Sequence, residues 1–420
     1  MNMKYGLIGE KLSHSLSPKI HRLLGNGDYA LAEVRREELR DFIFSRDFCG
    51  LNVTIPYKRE VIEYLDFIDP SAAQAGAVNT VVNRNGRLCG YNTDISGMKA
   101  MISAVSGMLS GLDVFILGSG GTSLAAVCAS KELGAENVFR VSRTLKGSGI
   151  VSYTSARGMM RERRHIVINT TPVGMYPDTD GSAIEPCAET ICGLYDAVYN
   201  PLRTDLIQKA EKMCPVSSGL RMLVTQAVYS DALFFDRKPD VSQIDGILGK
   251  ISSAQANIVL TGMPSCGKST AGRALSEMTG RAFFDTDRLV SEKTGFSPAE
   301  IIRRCGEARF RELESEAVAW IDRNVSGSVI ATGGGTVLDP DNVRRLRHNG
   351  VLAFIDRDFD LLSADGRHPL TENREMLRSV YAERLPVYRS SADITVRADE
   401  KTGPAELSRS VLKEFEKHVF

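Results

Sequence analysis

The sequence predicts an α/β protein built on parallel sheets and divided into more than one domain. Short apolar, β-rich runs alternate with helical patterns nearly throughout: Asp113–Leu117, Ile166–Ile168, Gly193–Val198, Ile258–Leu260, Ser328–Ala331 and Val351–Ile355. Such alternation reads as βαβ units. Two of these runs lead into glycine-rich loops that open helices, "GSGGTS" at 118–123 and "GMPSCGKST" at 262–270. The chain of 420 residues is long enough for roughly two to four domains.

Bulk properties narrow the partners. Lys plus Arg equals Asp plus Glu at 52 each, so neither nucleic acid nor an anionic membrane is favoured. The eight cysteines are scattered without a CxxC pair, which suits reduced thiols in a cytoplasmic protein. No apolar run approaches the ~20 residues of a membrane span. The first strand-like run, Tyr5–Gly9, begins with no basic and apolar leader before it. The expected partners are therefore small molecules, and the oligomeric state is left open.

Taken in order, the first hundred residues are rich in hydroxyls and amides. "SHSLSP" (13–18) offers Ser15 and Ser17 on a loop capping a helix. "LNVTIPYK" (51–58) ends a strand in Thr54 and Lys58. "GAVNT" (76–80) and "GYNTD" (90–94) supply Asn79 and Asp94. A Lys and an Asp ringed by hydroxyls and amides suit proton transfer on a polyhydroxylated acid.

A strand, a tight turn and a helix follow at 113–129. Gly118, Gly120 and Gly121 let the backbone approach a pyrophosphate at a helix N-terminus, the arrangement of a Rossmann domain. The next strand ends in "FRVSRT" (139–144). An acidic residue there would take a ribose 2′-hydroxyl. Ser142, Arg143 and Thr144 suit a 2′-phosphate instead, so the cofactor expected is NADP(H). The stretch "RGMMRERRH" (157–165) is read as a solvated face. Residues 238–255, with Pro, Gly and Ser near and little periodicity, read as a linker.

Beyond it, "GMPSCGKST" has the spacing of a P-loop. Gly262, Pro264, Ser265, Cys266, Gly267, Lys268, Ser269 and Thr270 are candidate ATP contacts, with Lys268 on the phosphates and Ser269 on Mg²⁺. "FFDTD" (283–287) is expected to put Asp285 and Asp287 on one face of a strand, one serving the metal and the other a hydroxyl. "GEARFRELE" places Arg311 on a helix as a carboxylate clamp. "ATGGG" offers Gly333, Gly334 and Gly335 as bare backbone against a small ligand.

Residues 5–237 as a set resemble shikimate dehydrogenases, with "NTTPVGM" (169–175), "DAVYNP" (196–201) and "GLRMLVTQA" (219–227) as further matches. The resemblance implies Lys58 and Asp94 as the catalytic pair, and Ser15, Ser17, Thr54, Asn79, Tyr199 and Gln226 as substrate ligands. It adds Thr171 and Gly219 to the glycines and the Ser142–Thr144 group on the cofactor side. Residues 257–400 resemble shikimate kinases. That likeness implies Asp287 as base and hydroxyl ligand, Arg311, Gly333–Gly335 and Arg384 (in "ERLPVY") on the substrate, and Arg367 on the transferred phosphate. The lid sequence "DGRHPL" (365–370) departs from that family's pattern: it is short and has a His between Arg367 and Pro369.

The division implied is a substrate part (1–97, completed by helix 220–237), a Rossmann part (98–219), the linker (238–255) and a P-loop kinase (256–420). Together they imply NADPH-dependent reduction of 3-dehydroshikimate, then MgATP-dependent phosphorylation of shikimate. The alternatives are a sensor of quinate and shikimate that has lost its chemistry, and a fusion with only the dehydrogenase half active.

Overall fold

The computed structural model describes residues 3–12, 15–145, 149–363 and 373–419. Arg367 and the rest of "DGRHPL" lie outside them. The chain forms two compact units, Met1–Ile251 and Ser252–Phe420.

The first unit holds two six-stranded sheets. One comprises β1 (Tyr5–Gly9), β2 (Tyr29–Glu33), β3 (Gly50–Val53), β4 (Phe67–Ile68), β5 (Thr80–Arg84) and β6 (Arg87–Tyr91), in the order β2-β1-β3-β5-β6-β4. It is mixed rather than purely parallel, because β3 runs antiparallel to β5 and β5 antiparallel to β6. The reversal is local chemistry. Asn85 and Gly86 join β5 to β6 with φ of 52° and 88°, and Asn-Gly with both residues at positive φ is the tight hairpin turn that matches strand twist.

The second sheet comprises β7 (Asp113–Leu117), β8 (Asn137–Val141), β9 (Ile150–Val151), β10 (His165–Asn169), β11 (Ile191–Asp196) and β12 (Val216–Ser217), in the order β12-β11-β10-β7-β8-β9. All its pairs are parallel. Strands β7 and β10 are buried at every residue, as both faces of a parallel sheet must be covered. Alternation shows in what each side chain meets. Val114, Ile116, Ile166 and Ile168 join Met98, Met101, Ile102 and Met222 of two helices in one core cluster. Phe115, Leu117 and Val167 pack on the other face with Met160 and Leu206.

Those two helices, Asp94–Ser103 and Leu220–Phe234, make a close crossing. A Cβ on Gly97 would stand 2.6 Å from the Met222 carbonyl oxygen. The boundary expected near residue 97 thus falls inside an unbroken helix. The expected linker also holds a helix, Gln243–Gln255, and the division between units falls within it.

The second unit has one parallel sheet of β13 (Asn257–Thr261), β14 (Phe283–Asp285), β15 (Val329–Ala331), β16 (Gly350–Arg357) and β17 (Ile394–Ala398), ordered β14-β15-β13-β16-β17. Val259, Ile330 and Leu352 of the three central strands meet Val318 and Ile321 of the Glu307–Asn324 helix. Among the described residues no helix is long and apolar enough to cross a membrane.

Gly97→Ala should destabilise the first unit. The gain in helix propensity, about 1 kcal/mol, is outweighed by overpacking of about 1–3 kcal/mol. The urea midpoint of that unit is expected to fall; a raised midpoint would show that the helix crossing can relax.

Candidate active sites

In the first unit the site begins where β3 ends. The chain leaves the sheet at Thr54 and turns so that Lys58 points back across it. Its Nζ donates to Asp94 Oδ2 at 2.6 Å, with both side chains largely buried (12% and 7% exposed). Asp94 opens the Asp94–Ser103 helix, where the helix dipole favours a carboxylate. Its other oxygen accepts from Asn79 Nδ2 at 2.9 Å, so both ends of the carboxylate are held. Asn79 Nδ2 also lies 3.5 Å from Gln226 Oε1 on the Leu220–Phe234 helix. Ser17 is buried and begins the Ser17–Leu23 helix. Ser15 does not cap that helix as expected. The N-cap is Leu16, and the Ser15 hydroxyl accepts from the Ser17 N–H at 3.2 Å. Tyr199 neighbours the Ser15 hydroxyl, and burial pushes its phenol pKa up. The structure therefore gathers Lys58, Asp94, Asn79 and Gln226 directly, and Ser15 with Tyr199.

The nucleotide loop lies against the same lysine. Gly118 has φ of 110°, and a Cβ there would stand 2.8 Å from Thr170 Oγ1. Gly121 starts the Gly121–Glu132 helix, and a Cβ on it would come within 3.3 Å of the Lys58 stem. A Cβ on Gly120 would meet nothing within 4 Å. An open backbone at a helix start is what a pyrophosphate needs. Thr171 donates its hydroxyl to Asn169 Oδ1 at 2.7 Å. Past β8, Ser142 is buried and accepts from the Thr144 N–H at 3.2 Å, while Arg143 and Thr144 are exposed. Gly219 is a packing residue, because a Cβ there would overlap the Ala197 carbonyl.

In the second unit the loop after β13 leads into the Lys268–Thr279 helix. Gly262 and Gly267 have φ of 145° and 100°, and Ser265 adopts 61°, a left-handed value rare for a residue with a Cβ. Lys268 Nζ donates to the carbonyls of Gly262 and Met263 at 2.9 and 2.8 Å. Ser269 Oγ donates to Asp285 Oδ2 at 2.8 Å. Two hard oxygens beside a phosphate loop fit Mg²⁺, which is held by few protein ligands plus phosphates. Among the described residues no group of three or more His, Cys, Asp or Glu is placed to hold a metal ion.

Asp285 and Asp287 do not share a strand face. Strand β14 stops at Asp285, whose Oδ1 caps the Thr286–Thr294 helix by accepting from the N–H groups of Asp287 and Arg288. Asp287 lies in the first helical turn. A Cβ on Gly333 would stand 2.6 Å from Asp287 Oδ1 and would collide with Glu314 Oε1; one on Gly335 would collide with the Arg311 guanidinium. The glycine run therefore packs its backbone directly onto the charged groups. Arg311 is held by Glu314 at 2.8 Å and by Glu307 at 2.8 Å. Arg384 Nη1 donates to the Gly334 carbonyl at 3.1 Å, and the Tyr388 hydroxyl donates to the same oxygen. Glu314 and Tyr388 were missed, although the first is the Glu of "FRELE" and the second the Tyr of "ERLPVY".

Asp287 carries the largest electrostatic anomaly of this site. Burial, then the neighbouring carboxylates Glu314 and Asp285, raise its pKa to about 7 against the pull of Lys268 and Arg311. Its Oδ1 has no hydrogen-bond partner among the described residues.

The geometry defines two kinds of enzyme site: a dinucleotide-type oxidoreductase with a lysine–aspartate pair, then a P-loop kinase with a buried carboxyl. The model of the shikimate dehydrogenase substrate binding domain matches residues 7–81, and that of shikimate kinase matches residues 264–416. The chain is 36% identical over 261 residues to a shikimate dehydrogenase (NADP(+)) of Clostridium beijerinckii, covering 58% of this chain and 96% of that protein. Shikimate dehydrogenase 1 of Peptoclostridium difficile superposes with a TM-score of 0.54 at 36% identity, over 60% of this chain and 98% of that one. Shikimate 5-dehydrogenase of Thermus thermophilus, solved with NADP(H) and shikimate, gives 0.52 at 31%, over 59% and 99%. The chain belongs to the shikimate dehydrogenase family and carries a shikimate kinase domain behind the dehydrogenase.

The raised pKa of Asp287 has a stability consequence. A carboxyl whose folded pKa lies above its ordinary 3.8 contributes stability that is complete below that value and lost as pH rises through about 7. Asp287→Asn should flatten this fall between about pH 4 and 7. The lone tryptophan, Trp320, reports urea unfolding of the second unit. An unchanged pH slope in the variant would place the titration elsewhere.

Proposed function

We propose that this chain is bifunctional, reducing 3-dehydroshikimate to shikimate with NADPH and then phosphorylating shikimate to shikimate 3-phosphate with MgATP. The observation that carries the reading is the Lys58–Asp94 pair set against Gly121, the first residue of the nucleotide-loop helix. It supports a reading in which Lys58 is a proton donor next to the cofactor loop. We take residues 1–97, completed by the Leu220–Phe234 helix and the residues to 237, as the substrate part and 98–219 as the cofactor part.

NADPH, when bound, supplies hydride to the ring ketone. Lys58 donates to the oxygen on which charge gathers, a contribution of about 10²–10⁴ in rate for such groups. Asp94 orients Lys58 and binds a ring hydroxyl. Ser15, Ser17, Thr54, Asn79, Tyr199 and Gln226 hold the remaining polar groups of the acid. Gly118, Gly120, Gly121 and Thr171 face the cofactor, and Ser142, Arg143 and Thr144 take its 2′-phosphate. Gly219 acts here through packing.

In the kinase half, ATP supplies the phosphoryl group, and transfer needs mainly alignment and charge neutralisation. Lys268 and the 262–270 loop bind the phosphates, while Ser269 and Asp285 hold Mg²⁺. Asp287, with its pKa near neutrality, accepts the proton of the attacking hydroxyl. Arg311, Arg384 and Gly333–Gly335 hold the carboxylate and ring, and Arg367 contacts the transferred phosphate.

The test supplies the purified chain with 3-dehydroshikimate, NADPH and MgATP, and scores NADPH loss and ADP formation. Both should occur, and with NADPH omitted ADP should form only when shikimate is supplied. NADPH loss without any ADP formation from shikimate would leave a dehydrogenase alone. Lys58→Ala should abolish shikimate oxidation and leave its phosphorylation unchanged. Equal loss of both activities in a folded variant would contradict two independent sites. Arg143→Ala should weaken NADPH binding and leave NADH binding unchanged, since only the former brings a 2′-phosphate. An unaltered NADPH-to-NADH preference would remove Arg143 from the site.

A further inference from the structure

Behind Asp94, on the side opposite Lys58, runs a chain of buried polar side chains. Tyr29 on β2, Asn52 on β3, Thr80 on β5, and Asn79 and Thr93 are each at most 6% exposed. The Tyr29 hydroxyl donates to Asn52 Oδ1 at 2.7 Å. Asn52 Nδ2 donates to Thr80 Oγ1 at 3.1 Å. Thr80 Oγ1 donates to Asn79 Oδ1 at 3.1 Å. Asn79 Nδ2 donates to Asp94 Oδ1 at 2.9 Å. All four bonds run in one direction and end on the carboxylate that Lys58 contacts.

The orientation of the Asn79 amide is set by a group whose proton is not in question, while the Thr80 hydroxyl also lies 3.2 Å from Thr93 Oγ1, where either oxygen can donate. The Thr93 backbone N–H can only donate, and it reaches Asn79 Oδ1 at 2.7 Å. That fixes the amide with its oxygen toward Thr93 and its nitrogen toward Asp94. Were the amide reversed, a carbonyl oxygen would face the carboxylate. At the far end Tyr29 is fully buried, and burial drives its phenol pKa well up, so it remains a donor. Its ring is stacked on His21 at 3.8 Å, and Ser17, a proposed substrate ligand, neighbours its hydroxyl. Ser230 Oγ adds a weak 3.4 Å contact to Asn52 Oδ1.

We propose that Tyr29, Asn52 and Thr80 are positioning residues of the dehydrogenase. Their chain supports the Asn79 amide, whose oxygen the Thr93 N–H holds, so that it aligns Asp94 for Lys58. The inference rests on the assignment of Lys58 and Asp94 as the catalytic pair. A core that needed only to be filled would not require the hydroxyl of Thr80, since valine has nearly its shape. Without that hydroxyl the Asn79 oxygen keeps only its Thr93 contacts and Asn52 Nδ2 only a long 3.4 Å reach to the Asn79 carbonyl, so the amides are held less tightly.

The experiment compares steady-state shikimate oxidation by the full chain carrying Thr80→Val, Thr80→Ser, Tyr29→Phe or Asp94→Asn, with kinase turnover and melting temperature measured on the same preparations. Thr80→Val should lower kcat about tenfold, the size expected for a hydrogen bond acting through a charged group, and leave KM for NADP and kinase turnover unchanged. Thr80→Ser should restore most of kcat, and Tyr29→Phe should show a smaller loss of the same kind. Wild-type kcat in Thr80→Val, or a Thr80→Ser variant as impaired as Thr80→Val, would overturn the proposal. Should Thr80→Val fail to fold, Tyr29→Phe decides: unchanged kcat there overturns it too. Asp94→Asn separates the two levels. If it keeps wild-type turnover, the catalytic pair itself is wrong; if it loses turnover and Thr80→Val does not, only the positioning chain falls.

Discussion

Both sites depend on charge held out of water, and they treat it in opposite ways. A buried ion is tolerated when it is paired and its remaining lone pairs are satisfied. In the first unit that condition is met: Asp94 has Lys58 on one oxygen and Asn79 on the other. In the second it is withheld. Asp287 is buried beside Glu314 and Asp285, one of its oxygens has no partner among the described residues, and its pKa climbs to about 7. The paired carboxylate is held at both oxygens and cannot turn without breaking one of those bonds. The unpaired one sits near neutrality, where a proton acceptor for a hydroxyl is most useful.

Glycine is what lets backbone close on these charges. At Gly121 the helix start comes so near the Lys58 stem that a methyl would press on it. At Gly335 even a methyl would run into Arg311, and at Gly333 into Glu314. In each case a helix start or loop that could receive a ligand is brought against the residue that would act on it.

Which residues gather was more legible in the sequence than how they are held. Lys58, Asp94, Lys268 and Ser269 stand where spacing and residue type placed them, because strand–loop–helix punctuation is local. Asp287 was misplaced for an equally local reason. "FFDTD" alternates like a strand, but an Asp is also a strong N-cap, and Asp285 ends the strand by capping the next helix. The helix at Gln243–Gln255 was hidden by Gly246 and Gly249. Its buried Ile244, Ile247 and Ile251 nevertheless stand at i, i+3 and i+7, the signature of an amphipathic face. The antiparallel turn of the first sheet was written in Asn85-Gly86 and outvoted by the parallel pattern around it.

The buried chain behind Asp94 illustrates what no local rule can supply. Tyr29, Asn52 and Thr80 are far apart in sequence, and each taken singly would pass for a satisfied core polar residue. Only the register β2-β1-β3-β5 sets the three strands so that their side chains converge. Once they do, the orientation of the Asn79 amide is fixed by a single backbone N–H, that of Thr93. A polar network inside a sheet thus carries information that a set of active-site residues lacks: which way the Asn79 amide points, and so which of its atoms Asp94 meets.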